Sequence, residues 1–306
     1  MREVIRRDPT RSPFPCHRTT SCTAWNDEIF PRSPRRIFFC LSSIGFSAST
    51  NTPVEGVHKN SPLEWSEKTA DSEMNRLGDS LNWRASGMGS KWDYAKSLLA
   101  LSFVRLGEFT GNRSYTEFGD KVVSSHLAPD GTIRGYVPSD SSLDSLFPGN
   151  VLLFAIDRGE SSVSVSKAVE SLKNQLLVQP RTQDGGFWHK KRYPNQMWLD
   201  GLYMASPFLA HYASTFKVPS LADEASKQIE LMDRHGYDSL RELPRHAWDE
   251  KHEQSWADPV TGCSPSFWSR SIGWYAMAIV DTLDYLPADS PWRMKLLEIF
   301  NRIAKG

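Results

Sequence analysis

From Ser61 onward the apolar residues recur every three or four positions, as they do along one face of an α-helix. Strand signals are confined to two short glycine-flanked segments, GTIRGYV and GGFWHK. The pattern therefore predicts an all-α domain built from helical hairpins. The predicted helices span residues 66–76, 92–106, 113–127, 142–156, 163–178, 207–216, 221–235, 265–286 and 291–304.

Three apolar stripes at helical spacing predict which faces these helices bury. The first stripe comprises Trp92, Ala95, Leu99, Ser102 and Leu106. The second stripe comprises Leu221, Ala225, Ile229 and Met232. The third stripe comprises Ile272, Tyr275, Ala276, Ile279 and Leu283. Helix starts are predicted at the prolines of three Ser-Pro pairs, because serine caps a first turn and proline tolerates the first helical position. The pairs are Ser206-Pro207, Ser264-Pro265 and Ser290-Pro291.

The first 60 residues differ from the rest of the chain. They are rich in Arg, Pro, Ser and Thr and have no apolar period, so we expect a disordered or non-native extension ahead of a domain at 61–306. Within them, RRIFFCLSSIGFSAST resembles a signal peptide placed far from the start, and its apolar run is too short to span a membrane. Both a cytoplasmic and a secreted location remain open.

Composition excludes several classes of partner. Lys plus Arg and Asp plus Glu are 36 each, so no overall field attracts nucleic acid or an anionic membrane, and a few placed cations must meet any anionic ligand. The four cysteines form no C-x-x-C pair and indicate neither a disulfide scaffold nor a zinc ribbon. Eleven tryptophans either pack in the core or offer flat surfaces on which sugar rings stack.

One acidic residue stands in an apolar stretch, NQMWLDGLYMASPFLAHYA, where Asp200 lies between Trp198 and Tyr203. Withdrawing a carboxylate from water disfavours its charged form, which is how proteins produce a general acid at neutral pH. The alternative is an ordinary Asp-Gly turn. Because the Ser-Pro pair places a helix start at Pro207, we expect Asp200 in a loop or single turn before that helix.

Four segments combine acids, cations and indoles: SLDSLFPGN, PRTQDGGFWHKKRYPNQMWLDG, LPRHAWDEKHEQSWAD and TGCSPSFWSRSIGWY. Together they fit a pocket for an acidic sugar, in which cations hold a carboxylate, indoles carry the ring and an acid supplies a proton. The candidate residues are Asp144, Arg181, His189, Lys190, Trp198, Asp200, His246, Trp248, Asp249, Trp268, Arg270 and Trp274.

Structural alternatives exist for several of these residues. Asp144 could cap a helix, and Arg270 could pack on a neighbouring indole through a cation–π contact. The two indoles at Trp268 and Trp274 are six residues apart on different helix faces, so at least one of them belongs to the core. The spacing of His246, Asp249 and His252 does not place three ligands on one helix face, so no metal site is predicted.

Four segments of the chain resemble a known family: PRTQDGGFWHK, QMWLDGLYMASPFLAHYA, HAWDE and WADPVTGCSPSFWSRSIGWYAMAIVDTLDYLP. The resemblance is to the unsaturated rhamnogalacturonyl hydrolases of glycoside hydrolase family 105. These enzymes are relatives of the unsaturated glucuronyl hydrolases of family 88. The resemblance runs from about Trp65 to the C-terminus. It implies an (α/α)6 barrel that takes a small oligosaccharide bearing a 4,5-unsaturated galacturonate. The implied reaction is hydration of the vinyl ether: an Asp protonates C4, water adds at C5, and the hemiketal opens to release rhamnose without a metal or organic cofactor.

The resemblance also implies residue roles. The acid/base aspartate falls on Asp200, and the second aspartate, on Asp144, would hold ring hydroxyls or the attacking water. Substrate-binding positions fall on His189, Lys190, Trp198, His246, Trp268, Arg270 and Trp274. The segment after SLDSLFPGN is shorter than in the family, and the closing C-terminal hairpins of the barrel are expected to be missing. A truncated or inactive sugar-binding protein and an unsaturated glucuronyl hydrolase are therefore the alternatives.

Overall fold

The computed structural model describes residues 61–78, 81, 91–160 and 162–306. The predicted N-terminal extension, with its signal-like run, lies outside these residues. All the predicted helices are present within them, and no described helix is long and apolar enough to cross a membrane. The helices are α1 (Pro62–Leu77), α2 (Tyr94–Thr110), α3 (Arg113–Ser124), α4 (Gly149–Asp157), α5 (Val163–Leu177), α6 (Leu199–Phe216), α7 (Pro219–Gly236), α8 (Ser269–Tyr285) and α9 (Trp292–Ile303).

The helices form two layers. Helices α2, α4, α6 and α8 pack side by side in chain order, and the odd-numbered helices pack behind them. α6 is buried around most of its circumference because α4, α7 and α8 surround it, whereas α7 buries a single stripe. This alternation of inner and outer helices confirms the expected (α/α)6-barrel architecture, and the N-terminal ends of the inner helices lie at one end of it.

Two two-stranded ladders lie at that end. β1 (Gln196–Trp198) pairs antiparallel with β4 (Ala247–Asp249), and β2 (Tyr237–Asp238) pairs with β3 (Leu243–Pro244). The predicted strands GTIRGYV and GGFWHK are wrong, since they contribute only isolated bridges. β1 leads directly into α6, so the β1–β4 pairing fixes the start of that helix relative to the segment before α8.

The prediction that a helix starts at Pro207 is wrong. α6 begins at Leu199 and continues through Pro207, and the Ser206 hydroxyl is buried without a hydrogen-bond partner instead of capping anything. An interior proline costs a helix roughly 3 kcal/mol because it lacks an N–H. Packing of α6 against three neighbouring helices offsets that cost.

The other two Ser-Pro predictions differ less from the structure. α8 begins at Ser269, four residues after Pro265. α9 begins one residue after Pro291, and the Ser290 hydroxyl accepts a hydrogen bond from the Trp292 N–H at 3.3 Å.

The first predicted stripe is only partly confirmed, since Trp92 and Leu106 are buried, whereas the other two are largely confirmed. Ala95 and Ser102 are exposed, and α2 instead buries a face formed by Ala100, Phe103, Val104 and Gly107. That face meets α3, where a Cβ built on Gly119 would lie 2.5 Å from the Ala100 carbonyl oxygen. The buried members of the other stripes are Ala225, Ile229, Met232, Tyr275 and Ile279.

Two helical glycines test how tightly the inner layer is packed. A Cβ on Gly149, at the start of α4, would lie 2.5 Å from a Phe208 ring carbon on α6, whereas a Cβ on Gly273 of α8 would meet nothing within 4 Å. We expect Gly149→Ala to lower the free energy of unfolding by roughly 1–3 kcal/mol through overpacking. The matched Gly273→Ala should raise it by about 0.5–1 kcal/mol. Urea denaturation of both variants measures the difference, and equal effects would contradict the close approach of α4 and α6.

Candidate active site

Asp200 occupies the first turn of α6, beside His246. The Leu199 N–H donates to the His246 carbonyl at 3.1 Å, which aligns the two segments. Asp200 Oδ2 then lies 3.4 Å from His246 Nε2, and both atoms are buried without a hydrogen-bond partner. Asp200 is therefore neither in a loop nor in an Asp-Gly turn, and it has a polar neighbour that the local sequence does not reveal.

Asp144 lies on a neighbouring segment, in a 3-10 turn (Leu143–Ser145) ahead of α4. Its Oδ2 accepts a hydrogen bond from Lys190 Nζ, and its Oδ1 is 3.5 Å from His189 Nε2. α4 begins only at Gly149 and has no side-chain cap, so the helix-cap alternative for Asp144 is excluded. The second carboxylate is thus balanced by a lysine.

His189 is a neutral, fully buried part of this arrangement. Burial lowers its pKa to about 4, outweighing the nearby Asp144 carboxylate, which acts in the opposite direction. Its ring packs against the start of α6, since a Cβ on Gly201 would lie 2.8 Å from His189 Nδ1. Gly201 therefore allows the histidine to reach its position next to the helix that carries Asp200.

An aromatic stack connects His189 to the rim of the site. The rings of His189 and Tyr193 lie 4.7 and 4.9 Å from the Trp198 ring, nearly parallel to it, and 6.4 Å from each other. Rings on opposite faces of one indole would be at least roughly 7 Å apart, because each contact needs about 3.5 Å. Both rings therefore cover the same face of Trp198 and leave its other face free of them.

The start of α8 forms the opposite wall. Trp268 is 36% exposed, the Arg270 guanidinium lies 3.9 Å from its ring centroid, and the His246 ring meets it edge-on at 5.2 Å. Trp274 lies deeper, where its ring stacks on Tyr203 at 5.2 Å. Trp268 is thus the accessible indole, and Trp274 belongs to the floor.

Three candidate residues stand apart from this group. Arg181 pairs with Glu224 at 2.6 Å, and Trp248 stacks on His235 at 3.6 Å. Asp249 is buried and accepts backbone hydrogen bonds at 2.7 to 3.2 Å from its own loop. Each of them stabilises the surrounding loops.

Sequence reasoning did not select Tyr193 and Tyr203 as candidates, although both lie next to the site and Tyr203 was noted as a neighbour of Asp200. The signal for Tyr193 was its place at the end of the basic run HKKRY, and for Tyr203 its position one helical turn after Asp200.

Comparison of the chain with known proteins identifies its family. The model of Glycosyl Hydrolase Family 88 matches residues 65–306. The chain belongs to this family. Helices α2 to α9 and every residue of the pocket lie within the matched segment.

Individual relatives of this family 88 chain come from several bacteria. Protein Atu3128 of Agrobacterium fabrum is 40% identical over 87 residues, covering 28% of this chain and 37% of the relative. An unsaturated rhamnogalacturonyl hydrolase of Bacillus subtilis is 23% identical over 68% of this chain and 58% of its own length. A family 105 glycoside hydrolase structure from C. acetobutylicum is 32% identical with a TM-score of 0.69, covering 79% of this chain and 64% of that one. The chain thus spans less than two thirds of each relative.

Burial of neutral His189 has a consequence for stability. Its pKa is about 4 in the folded protein and near the ordinary 6.5 in the unfolded chain, so only the unfolded state gains a proton between these values. The free energy of unfolding should therefore fall as the pH drops from 6.5 towards 4, by about 3 kcal/mol from this residue. We expect His189→Gln to show a shallower fall than the wild type when urea denaturation is compared at both ends of that range.

The exposed His252 provides the control for this measurement. His252→Gln should keep the wild-type pH dependence. An identical fall in the wild type and in His189→Gln would show that His189 is not a neutral buried group.

Proposed function

We propose that this protein removes a 4,5-unsaturated galacturonyl residue from rhamnogalacturonan-derived disaccharides by acid-catalysed hydration of the C4–C5 double bond. The observation that carries the proposal is the close approach of Asp200 to His246. On one side of this pair lies the exposed Trp268 ring, on which Arg270 packs. On the other side lies Asp144, which pairs with Lys190. The Bacillus subtilis relative, named an unsaturated rhamnogalacturonyl hydrolase, supports the choice of substrate.

Asp200 acts as the general acid in this proposal. It donates its proton to C4, and the π electrons of the vinyl ether form the new C–H bond while the ring oxygen stabilises the positive charge at C5. Water then adds at C5 and returns a proton to the carboxylate. The hemiketal formed at C5 opens by breaking the bond from C5 to the ring oxygen, and the resulting hemiacetal at C1 collapses to an aldehyde and releases rhamnose.

The unpartnered His246 Nε2 lies next to Asp200 and suits a positioning role. A neutral imidazole that donates to Asp200 Oδ2 would hold the carboxyl group in one rotamer and leave its other oxygen to act on the substrate. The second carboxylate, on Asp144, would hold ring hydroxyls or the attacking water, with Lys190 balancing its charge. The uronate would be held by Arg270, which is already oriented on the Trp268 ring.

The test follows absorbance of the enol ether, because hydration removes the conjugated double bond directly. Purified protein mixed with unsaturated galacturonyl-rhamnose should show a falling signal, and Asp200→Asn should lower kcat by roughly 10²- to 10⁴-fold by removing the proton donor. Binding of the disaccharide to this variant, measured by calorimetry, should remain. The exposed Asp289, far along the chain from the pocket, gives the control variant Asp289→Asn with wild-type turnover.

Two results would overturn the proposal. Turnover by Asp200→Asn at the wild-type rate would remove Asp200 from the chemistry. Disaccharide binding without turnover by folded wild-type protein would identify a sugar-binding protein. A preference for an unsaturated glucuronyl disaccharide in the same assay would keep the reaction and change the leaving sugar.

A further inference from the structure

A tight turn connects the site to its rim. The Tyr193 N–H donates to the Lys190 carbonyl at 2.9 Å, which leaves Lys191 and Arg192 at the tip of the turn. Both base residues belong to the site, since Lys190 binds Asp144 and the Tyr193 ring stacks at 4.9 Å on Trp198. The turn is therefore held at both ends by the groups that surround the catalytic carboxylates.

The two cations at the tip are exposed and uncompensated. Neither Lys191 nor Arg192 forms an ion pair with any carboxylate of the described residues, although most arginines elsewhere in that part of the chain do. The Lys191 N–H donates to the Asp140 carbonyl at 3.1 Å, which fixes the tip. The Arg192 guanidinium lies 4.8 Å from the Tyr193 ring centroid and is thereby pre-oriented at the rim.

A continuous path runs from the catalytic carboxylate to this tip. From Asp200 it passes through His246 and Trp198 to Tyr193 and Arg192, and no step between neighbouring groups exceeds 5.4 Å. The tip of the turn therefore lies within four side-chain contacts of the Asp200 carboxylate. Because the chain has no net charge, these local cations, rather than a general field, decide what binds there.

We infer that Lys191 and Arg192 form a distal subsite for the carboxylate of a second uronate, so that longer unsaturated rhamnogalacturonan fragments bind better than the disaccharide. The inference rests on the proposed function. In a polymer that alternates galacturonate and rhamnose, a neutral rhamnose follows the unsaturated ring and the next carboxylate comes one sugar further out. The pocket cations meet the first carboxylate, and the cations of the tip meet the second.

The test compares two substrates that differ only in the distal pair of sugars: the unsaturated disaccharide and the unsaturated tetrasaccharide with a second galacturonate. At low salt the wild type should show a KM for the tetrasaccharide that is lower by roughly three- to tenfold, the value expected of exposed charge pairs. The double variant Lys191→Gln/Arg192→Gln should bring the ratio of the two KM values close to one. Added salt should shrink the wild-type ratio, because exposed charges are screened.

The control removes the same two charges at the other end of the barrel. Lys217 follows the C-terminus of α6 and Arg113 begins α3, and both are exposed. Lys217→Gln/Arg113→Gln should keep the wild-type KM ratio.

The outcomes separate this inference from the proposed function. Turnover of both substrates by the wild type with equal KM values would overturn the distal subsite and leave the proposed function standing. A ratio that the tip variant leaves unaltered would do the same. No turnover of either substrate by folded protein would overturn the proposed function and the inference with it.

Discussion

Tyr203 is the side chain on which the floor of the site depends. It lies one helical turn below Asp200 on α6, its ring stacks on Trp274 from α8 and packs against Phe147 ahead of α4, and its hydroxyl donates to Asp281 at 3.3 Å. Asp281 in turn pairs with Arg105 of α2 at 3.1 Å. Further hydrogen bonds help a buried ion pair to offset its desolvation, and the Tyr203 hydroxyl supplies one to the Asp281 carboxylate. Tyr203 thereby couples the four described inner helices directly beneath the Asp200 carboxylate.

Above this floor, the two carboxylates are held in different ways, and the difference suits them to different tasks. Asp144 accepts a hydrogen bond from Lys190 Nζ, which orients its carboxyl group. Asp200 Oδ2 instead lies 3.4 Å from His246 Nε2, and neither atom has a hydrogen-bond partner among the described residues. Separate environments for paired carboxylates are the usual way in which one protein assigns a proton donor and a binding anion to the same pocket.

Sequence alone predicted the helices well because their apolar period is long and repeated, but it misplaced three starts. Pro207 carries a strong local start signal, and only the burial of α6 by three neighbours reveals that the helix runs through it. The stripe on α2 was only partly right, since the close approach of Gly119 on α3 selects the face with Ala100, Phe103 and Val104, and this approach cannot be read from the spacing of apolar residues in α2. For the site, residue types and the family resemblance selected the candidates that the structure brings together. The contact of Asp200 with His246 was not predictable, because it depends on a strand pairing between segments about 50 residues apart.

That pairing also explains why the outer turn and α6 hold fixed positions relative to each other. β1 links the turn at Lys190–Tyr193 to the first residue of α6, and the stacked rings of Tyr193, Trp198 and His189 fill the space between them. The last contact in this series is the His189 ring against Gly201, where no side chain fits. The absence of a Cβ next to Asp200 therefore sets where His189, Trp198 and the rim lie. A site of this design tolerates changes at its exposed tip far better than a single added carbon at its centre.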